Sequence, residues 1–354
     1  MKILVTGGAG FIGYTTCNYL LNKGYEVIAF DNLSRKGVEH NLEFLINKEN
    51  FTFIKGDVTN TEDVNLLKQY KIDGIIHLAA NPAVPTSLEY PLYDFNINAL
   101  GTVNMLEYAR QNGKIPFILA STNKVYSDVI DSLPIIEKQT RYEWGNDIEM
   151  SDISIPDSIN ELFPLDGKSH SPYGCSKLTA DIYAREYYHT YGVPTVVNRM
   201  SCIYGPHQMG KEEQGWVAWF CIAKIMGLPI TIFGDGKQVR DCLYGEDLAE
   251  LYELQLRNIE TFKGNVYNVG GGLQNTTSLL EFINIIDKNF SKIGSEEYKK
   301  LEYKFEDWRQ ADQKIYISDI SKISKYWQPK TNLLTGITKI IDWVKENKSY
   351  IPIN

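Results

Sequence analysis

The residue pattern predicts an α/β fold: a doubly wound parallel sheet with helices on both faces and a smaller C-terminal α/β lobe. Three observations lead there. Apolar runs of strand length alternate with amphipathic stretches through roughly the first 200 residues, as in βαβ units. A glycine-rich segment directly follows the first run and opens a helical stretch. The 354 residues leave enough chain beyond that sheet for a second lobe.

The first strand is Lys2-Ile3-Leu4-Val5-Thr6, followed by Gly7-Gly8-Ala9-Gly10-Phe11-Ile12-Gly13. Glycines at 7, 10 and 13 permit a tight turn and let backbone N–H groups approach a pyrophosphate at the positive end of a helix, which makes the sheet Rossmann-like. Asp31 closes the second strand, Glu26 to Phe30. A carboxylate there accepts from ribose hydroxyls and repels a 2′-phosphate, which favours NAD over NADP, with Arg35 close by. Asp57-Val58, after the strand Phe51 to Ile54, is placed to meet adenine, and Leu78-Ala79-Ala80, ending the strand Gly74 to Leu78, borders the cofactor.

A helix is expected over about 91–112, then a strand from Pro116 to Ala120 that leads into Ser121-Thr122. Residues 127–170, weakly periodic and rich in Ser, Asp, Pro and Ile, read as a functional loop ending at a helix over 172–191. Thr195 to Asn198 is a further strand, and Gly264 to Gly270 reads as one arriving late. The chain thus divides into a dinucleotide-binding domain over 1–200, with the strand near 264–270, and a substrate lobe over 201–263 and 271–354. That lobe carries Trp308-Arg309 and ends in an amphipathic helix around Gly336 to Lys348.

Tyr173 and Lys177, four apart behind Ser171-Pro172, lie on one face of the expected helix. A phenol of pKa about 10 acts as a base near neutrality only if its anion is stabilised, and a fixed positive charge does part of that. The spacing alone decides nothing, since Tyr19 and Lys23 share it in an ordinary amphipathic helix.

Composition sets further bounds. Hydrophobic content of 43% and charged content of 23% suit a soluble globular chain, and no apolar run reaches the roughly 18 residues needed to cross a bilayer. The N-terminus enters a strand directly, so a cytoplasmic location is expected. Five scattered cysteines argue against a disulfide framework, and five histidines without ligand spacing argue against a metal. A net charge of -8 disfavours general nucleic-acid binding.

The glycine spacing, Leu78-Ala79-Ala80, Asn98-x-x-Gly101-Thr102-x-Asn104, Ser121-Thr122, Tyr173/Lys177 and Arg199-x-x-x-x-Tyr204-Gly205-Pro206 resemble, in order, the extended short-chain dehydrogenase/reductase superfamily, in its branch of nucleotide-sugar epimerases and dehydratases. The resemblance covers nearly the whole chain. It implies a catalytic triad of Thr122, Tyr173 and Lys177, in which Tyr173 is the acid/base and Lys177 holds the nicotinamide ribose while lowering the phenol's pKa. It also implies NAD contacts from Gly7, Gly10, Phe11, Ile12, Gly13, Asp31, Asn32, Ser34, Arg35, Asp57, Val58, Leu78, Ala79, Ala80, Asn98, Tyr173, Lys177 and Met200.

Dehydratases of this branch carry Asp-Glu after the triad Thr, where this chain has Asn123-Lys124, so elimination loses its acid and base. Inversion by transient oxidation remains, because a carbinol C–H is not acidic. Segments at 121–126, 140–142, 170–177, 213–220 and 234–241 resemble the 2-epimerases of CDP-linked 3,6-dideoxyhexoses (the CDP-paratose/CDP-tyvelose type); Ser127 departs from a usual Gly. On that resemblance the partner is a nucleotide-diphosphate sugar, CDP-linked by preference, and Asn123, Lys124, Arg141, His170, Ser201, Trp216, Arg240 and Arg309 bind it. Residue chemistry alone leaves C2 and C4 both open, and with them a C4 epimerase or another NAD-dependent enzyme of UDP- or GDP-sugars. The helices at 91–112 and 172–191 resemble those that pair subunits in this superfamily, with Tyr183, Tyr187 and Tyr188 as interface aromatics, so a homodimer or homotetramer is expected.

Overall fold

The computed structural model of the chain describes residues 1–145, 149–150, 153–154, 157–212, 214–292 and 300–351. Parts of the 127–170 loop, and Glu213, lie outside the described residues.

Seven strands form one parallel sheet: β1 (Lys2–Thr6), β2 (Glu26–Asp31), β3 (Phe51–Lys55), β4 (Gly74–His77), β5 (Phe117–Thr122), β6 (Thr195–Met200) and β7 (Asn265–Val269). Their order is β7-β6-β5-β4-β1-β2-β3, so the winding reverses between β1 and β4. Outside the carboxyl ends of such strands an open α/β sheet has its binding crevice. The late strand does join this sheet, pairing Val196 to Met200 with Asn265 to Val269. Ile3, Leu4, Val5, Ile75, Ile76 and Phe117 to Leu119 are fully buried, because helices cover both faces.

Helix α1 (Phe11–Asn22) leaves the glycine turn. The expected helix over 91–112 runs without a break from Pro91 to Gln111, with a π turn at Asn96–Leu100 between Pro91–Phe95 and α2 (Gly101–Gln111). In this arrangement Asp94 and Asn98 both face Asn81 and Ser176. Helix α3 (Pro172–Tyr191) starts where the Ser171 hydroxyl accepts from Gly174 N at 3.1 Å, with Pro172 in its first turn, and stops at Gly192, whose φ is 68°.

The second lobe has its own core, in which helices Trp216–Met226, Leu279–Lys292 and Leu333–Glu346 bury Phe220, Ile222, Phe282, Ile286, Ile337 and Ile341 together. Strand Val239–Tyr244 pairs with Cys202–Tyr204, Thr276–Ser278 and Ile315–Tyr316. One segment differs from the expected division. Helix Gly245–Arg257, inside 201–263, lays Leu248, Leu251, Tyr252 and Leu256 into the cluster that holds Ile3, Val5, Val27 and Ile76, because its apolar stripe fits the face that α1 leaves open. Among the described residues no helix is long and apolar enough to cross a membrane, and no group of His, Cys, Asp and Glu could hold a metal ion.

Candidate active site

At the switch point the glycines do what their spacing implies. Gly7 has φ 67°, and a Cβ there would lie 2.9 Å from Ala79 N; a Cβ on Gly13 would lie 2.0 Å from Gly7 O. Gly10 begins α1 without a side-chain cap, so its first amides stay open to an anion. Asp31 accepts from Ala9 N at 3.1 Å and from Leu33 N at 2.8 Å. Burial pushes its carboxyl up, and those backbone donors resist. Asp31 therefore braces the turn from below as well as closing β2. A close-approach turn, an uncapped helix start and a carboxylate at the end of the second strand fit a dinucleotide.

The neighbouring positions build the walls. Asn32 donates to Asp57 at 2.9 Å and accepts from Ser34 N at 3.0 Å, while Arg35 is exposed beside them. Val58 lies so close to Gly101 that a Cβ on that glycine would be 2.6 Å from Val58 Cγ2. Thr6 Oγ1 accepts from Leu78 N and Ala79 N at 3.2 Å each, which fixes the turn that runs on to Ala80. The side chains of Phe11 and Ile12 go elsewhere: Phe11 lies against Gly205 and Gly245, and Ile12 packs on the sheet core. Met200 accepts from the Tyr252 hydroxyl at 3.0 Å.

Thr122, Tyr173 and Lys177 converge at the end of β5, all buried. The Thr122 hydroxyl is near enough to the Tyr173 phenol to favour its ionised form. Lys177 Nζ donates to Ala120 O at 2.7 Å. Burial drives both groups toward neutrality. It pushes the phenol up to about 12, with Thr122 pulling down and Asp94 pushing further up. It pulls the Lys177 ammonium down to about 8 against Asp181 and Asp94. Burial sets the direction for the phenol, and the Lys177 ammonium is turned to the Ala120 carbonyl.

Sequence reasoning missed the residues that hold this trio. Asp181, on the face of Tyr173 and Lys177, accepts from Ser121 Oγ at 3.1 Å and from Arg199 through Nε at 2.9 Å and Nη2 at 3.1 Å. That bidentate pair ties β5, β6 and α3 together. Eight residues from Tyr173 on a helix, Asp181 could have been found by the spacing that found Lys177. Asp94 could not, since it arrives from another helix.

On the substrate side, Lys124 Nζ donates to Ala311 O at 2.8 Å and to Gln313 Oε1 at 3.3 Å, and Asn123 reaches the same Gln313 oxygen at 3.4 Å. Burial and the neighbouring Arg240 pull the Lys124 ammonium down to about 8, with Asp312 and Asp131 opposing. Arg240 pairs with Asp312 at 2.6 Å. The fold thus brings Asn123, Lys124 and Arg240 together with the 311–313 turn. Arg309 lies 3.8 Å over the Phe233 ring and donates to Glu212 O at 2.8 Å. His170 bonds Val125 O at 3.0 Å, beside Lys124. Ser201 gives its hydroxyl to Asp241. Arg141 is held by Thr276 at 3.1 Å and Glu281 at 3.5 Å. Trp216 stands edge-on to Phe220 and Phe282 against the lobe core.

The family described as NAD dependent epimerase/dehydratase matches residues 3–270, from β1 through β7. The chain belongs to this family. Within it, CDP-paratose 2-epimerase of Salmonella typhi is 40% identical over 97% of this chain and 99% of its own length. UDP-glucose 4-epimerase of Thermus thermophilus, solved in complex with NAD, superposes with a TM-score of 0.78 at 28% identity over 98% of this chain and 100% of its own. UDP-glucuronic acid 4-epimerase of Bacillus cereus, solved with UDP-glucuronic acid and NAD, gives 0.77 at 29% over 98% and 99%. The family's dependence on NAD agrees with the cradle at Gly7 to Gly13.

Proposed function

We propose that this enzyme inverts C2 of a CDP-linked 3,6-dideoxyhexose of the CDP-paratose/CDP-tyvelose type, using tightly held NAD. The observation that carries this reading is the 40% identity to CDP-paratose 2-epimerase over nearly the full length of both chains. The triad's surroundings limit the chemistry in the same direction: an amide and an ammonium, Asn123 and Lys124, follow Thr122, where elimination needs carboxylates.

NAD, when bound, would supply the hydride acceptor and donor. Tyr173, in its ionised form, takes the C2 hydroxyl proton and later returns it, with the Thr122 hydroxyl bridging phenol and substrate oxygen. Lys177, anchored by Ala120 O, holds the ribose side of the site. The residues assigned to the dinucleotide hold it mainly through backbone at Gly7 to Gly13 and through Asp31 and the turns at 57–58 and 78–80. Asn123, Lys124, Arg240 and Arg309 receive the sugar and its diphosphate, where a guanidinium suits paired oxygens. Arg141, His170, Ser201 and Trp216 shape the outer wall.

We place the enzyme in the cytoplasm as a homo-oligomer. Leu88, Tyr90, Leu92, Tyr93, Phe95 and Ile182 are exposed along the 84–95 segment and α3, an apolar surface that a second copy would cover. Tyr183 belongs with them, whereas Tyr187 is buried in this chain's own core.

A panel of CDP-, UDP- and GDP-sugars, with products read by proton NMR, tests the reading. Inversion at C2 of the CDP-dideoxyhexose is expected, and in D2O the inverted carbon stays free of deuterium. Inversion at C4 of a UDP-sugar, with none at C2, would replace this proposal with the 4-epimerase one.

A further inference from the structure

Asp94 is fully buried, yet among the described residues no cation pairs with it in an ion pair. Its Oδ1 accepts from Asn81 Nδ2 at 2.8 Å and Asn98 Nδ2 at 3.0 Å, and its Oδ2 accepts from Ser176 Oγ at 2.5 Å. Every donor is neutral. Each comes from a different working part: Asn81 from the turn after β4 that borders the cofactor, Asn98 from the π turn, and Ser176 from the catalytic helix, between Tyr173 and Lys177.

We infer that Asp94 is a positioning residue that sets the charge of the triad: its buried carboxylate locks α3 onto the cofactor-bordering turn and acts as the standing counter-charge of Lys177. The inference rests on the triad roles proposed above.

The other charges around Lys177 are differently placed. Asp181, on α3 itself, contributes the larger opposing field at Lys177 but shares its charge with Arg199 and with Arg185 Nε at 3.1 Å. From β4, His77 faces Lys177 and is held neutral, with burial pulling it down to about 3 and Thr6 and Thr102 on its two nitrogens. Tyr173 is neutral in this state, with burial holding its proton on and Thr122 pulling the other way. Asp94 is left as the carboxylate whose field reaches Lys177 and Tyr173 without a cation of its own. A carboxylate whose field reaches both groups favours the ammonium and disfavours the phenolate, so it raises the two pKa values together. Activity that needs an ionised phenol and a charged lysine then has both limbs of its pH profile set by one residue.

Asp94→Asn isolates the charge. The amide oxygen can replace Oδ1 and keep both Asn donors, while its NH2 replaces Oδ2 and donates to Ser176 Oγ, whose own proton is free to stay on Tyr173 O, 3.0 Å away. We expect both limbs of the pH–rate profile to move acidward by about one unit. Independently of any substrate, the Lys177 midpoint should fall by a similar amount in NMR spectra of full-length protein with 13Cε-labelled lysine, Lys177→Met assigning the signal. Ser176→Ala, which removes a hydrogen bond but no charge, should lower the maximum and leave the limbs in place. An Asp94→Asn profile with unmoved limbs, or an unmoved Lys177 midpoint, overturns the inference. A moved midpoint in a protein inactive on every CDP-sugar keeps it and removes the proposed reaction.

Discussion

Tyr19/Lys23 and Tyr173/Lys177 have the same residue types at the same spacing, and the fold treats them in opposite ways. Lys23 caps the end of α1 in the open, its ammonium 5.4 Å from the Tyr19 ring centroid. Tyr19 faces Glu250, Glu253 and Glu246, carboxylates that add to burial in keeping its proton on. Tyr173 and Lys177 are buried against β5, with Thr122 on the phenol and Ala120 O on the ammonium. Spacing puts two groups on one helix face, but what that face meets decides whether they can exchange a proton with a ligand.

The contrast is sharpest in activity. Tyr173→Phe should lower turnover by roughly 10³-fold or more, with NAD still recovered from the denatured protein by mass spectrometry, since the phenol's proton transfer is lost while the cradle is untouched. Near-normal turnover would put the two pairs on a level.

Stability should separate the two surroundings next. Arg199→Met leaves Asp181 buried beside Arg185 alone and should cost about 3 kcal/mol in urea unfolding. A loss under about 1 kcal/mol would mean that the buried site is no more tightly determined than the surface one.

His77, also buried beside Lys177, gives the pH dependence. Its folded pKa, pulled down to about 3, lies below the value of about 6.5 expected in the unfolded chain. As pH falls below that unfolded value, the unfolded chain takes up a proton that the native state refuses, so stability is lost down toward pH 3. His77→Gln should remove about 2 kcal/mol of the difference between unfolding free energies at pH 7 and pH 4.5. An unchanged difference would show that His77 charges in place.

The smallest effect belongs to the pair on α1, with Lys23 exposed and Tyr19 half-buried. Tyr19→Phe and Lys23→Met should leave turnover within about twofold and stability within about 0.5 kcal/mol. A large loss of turnover would bring the outer face of α1 into the chemistry.

Much of the site was legible as local pattern. Gly7 and Gly13 announce a turn because a side chain there would collide with neighbouring backbone, and Asp31 ends a strand whose length is fixed by its apolar run. Thr122 lies at a strand end that can be counted from Pro116. The helix over 91–112 was legible, but not the π turn at Asn96–Leu100 inside it, which leaves the helical period almost intact. Asp94, Asp312 and Gln313 carried no signal, because their partners lie far off in the chain.

The sequence by itself determined the parallel sheet and the phosphate turn, which depend on periods of two to four residues and on the steric demands of single side chains, whereas the triad is what the family resemblance implies. Tertiary structure alone decided which Tyr-Lys pair is buried, that helix Gly245–Arg257 returns to pack on α1, and that the field of Asp94 reaches Lys177. The reason is physical. Desolvation and Coulomb fields depend on which groups meet in space, and that is fixed only once the elements have packed.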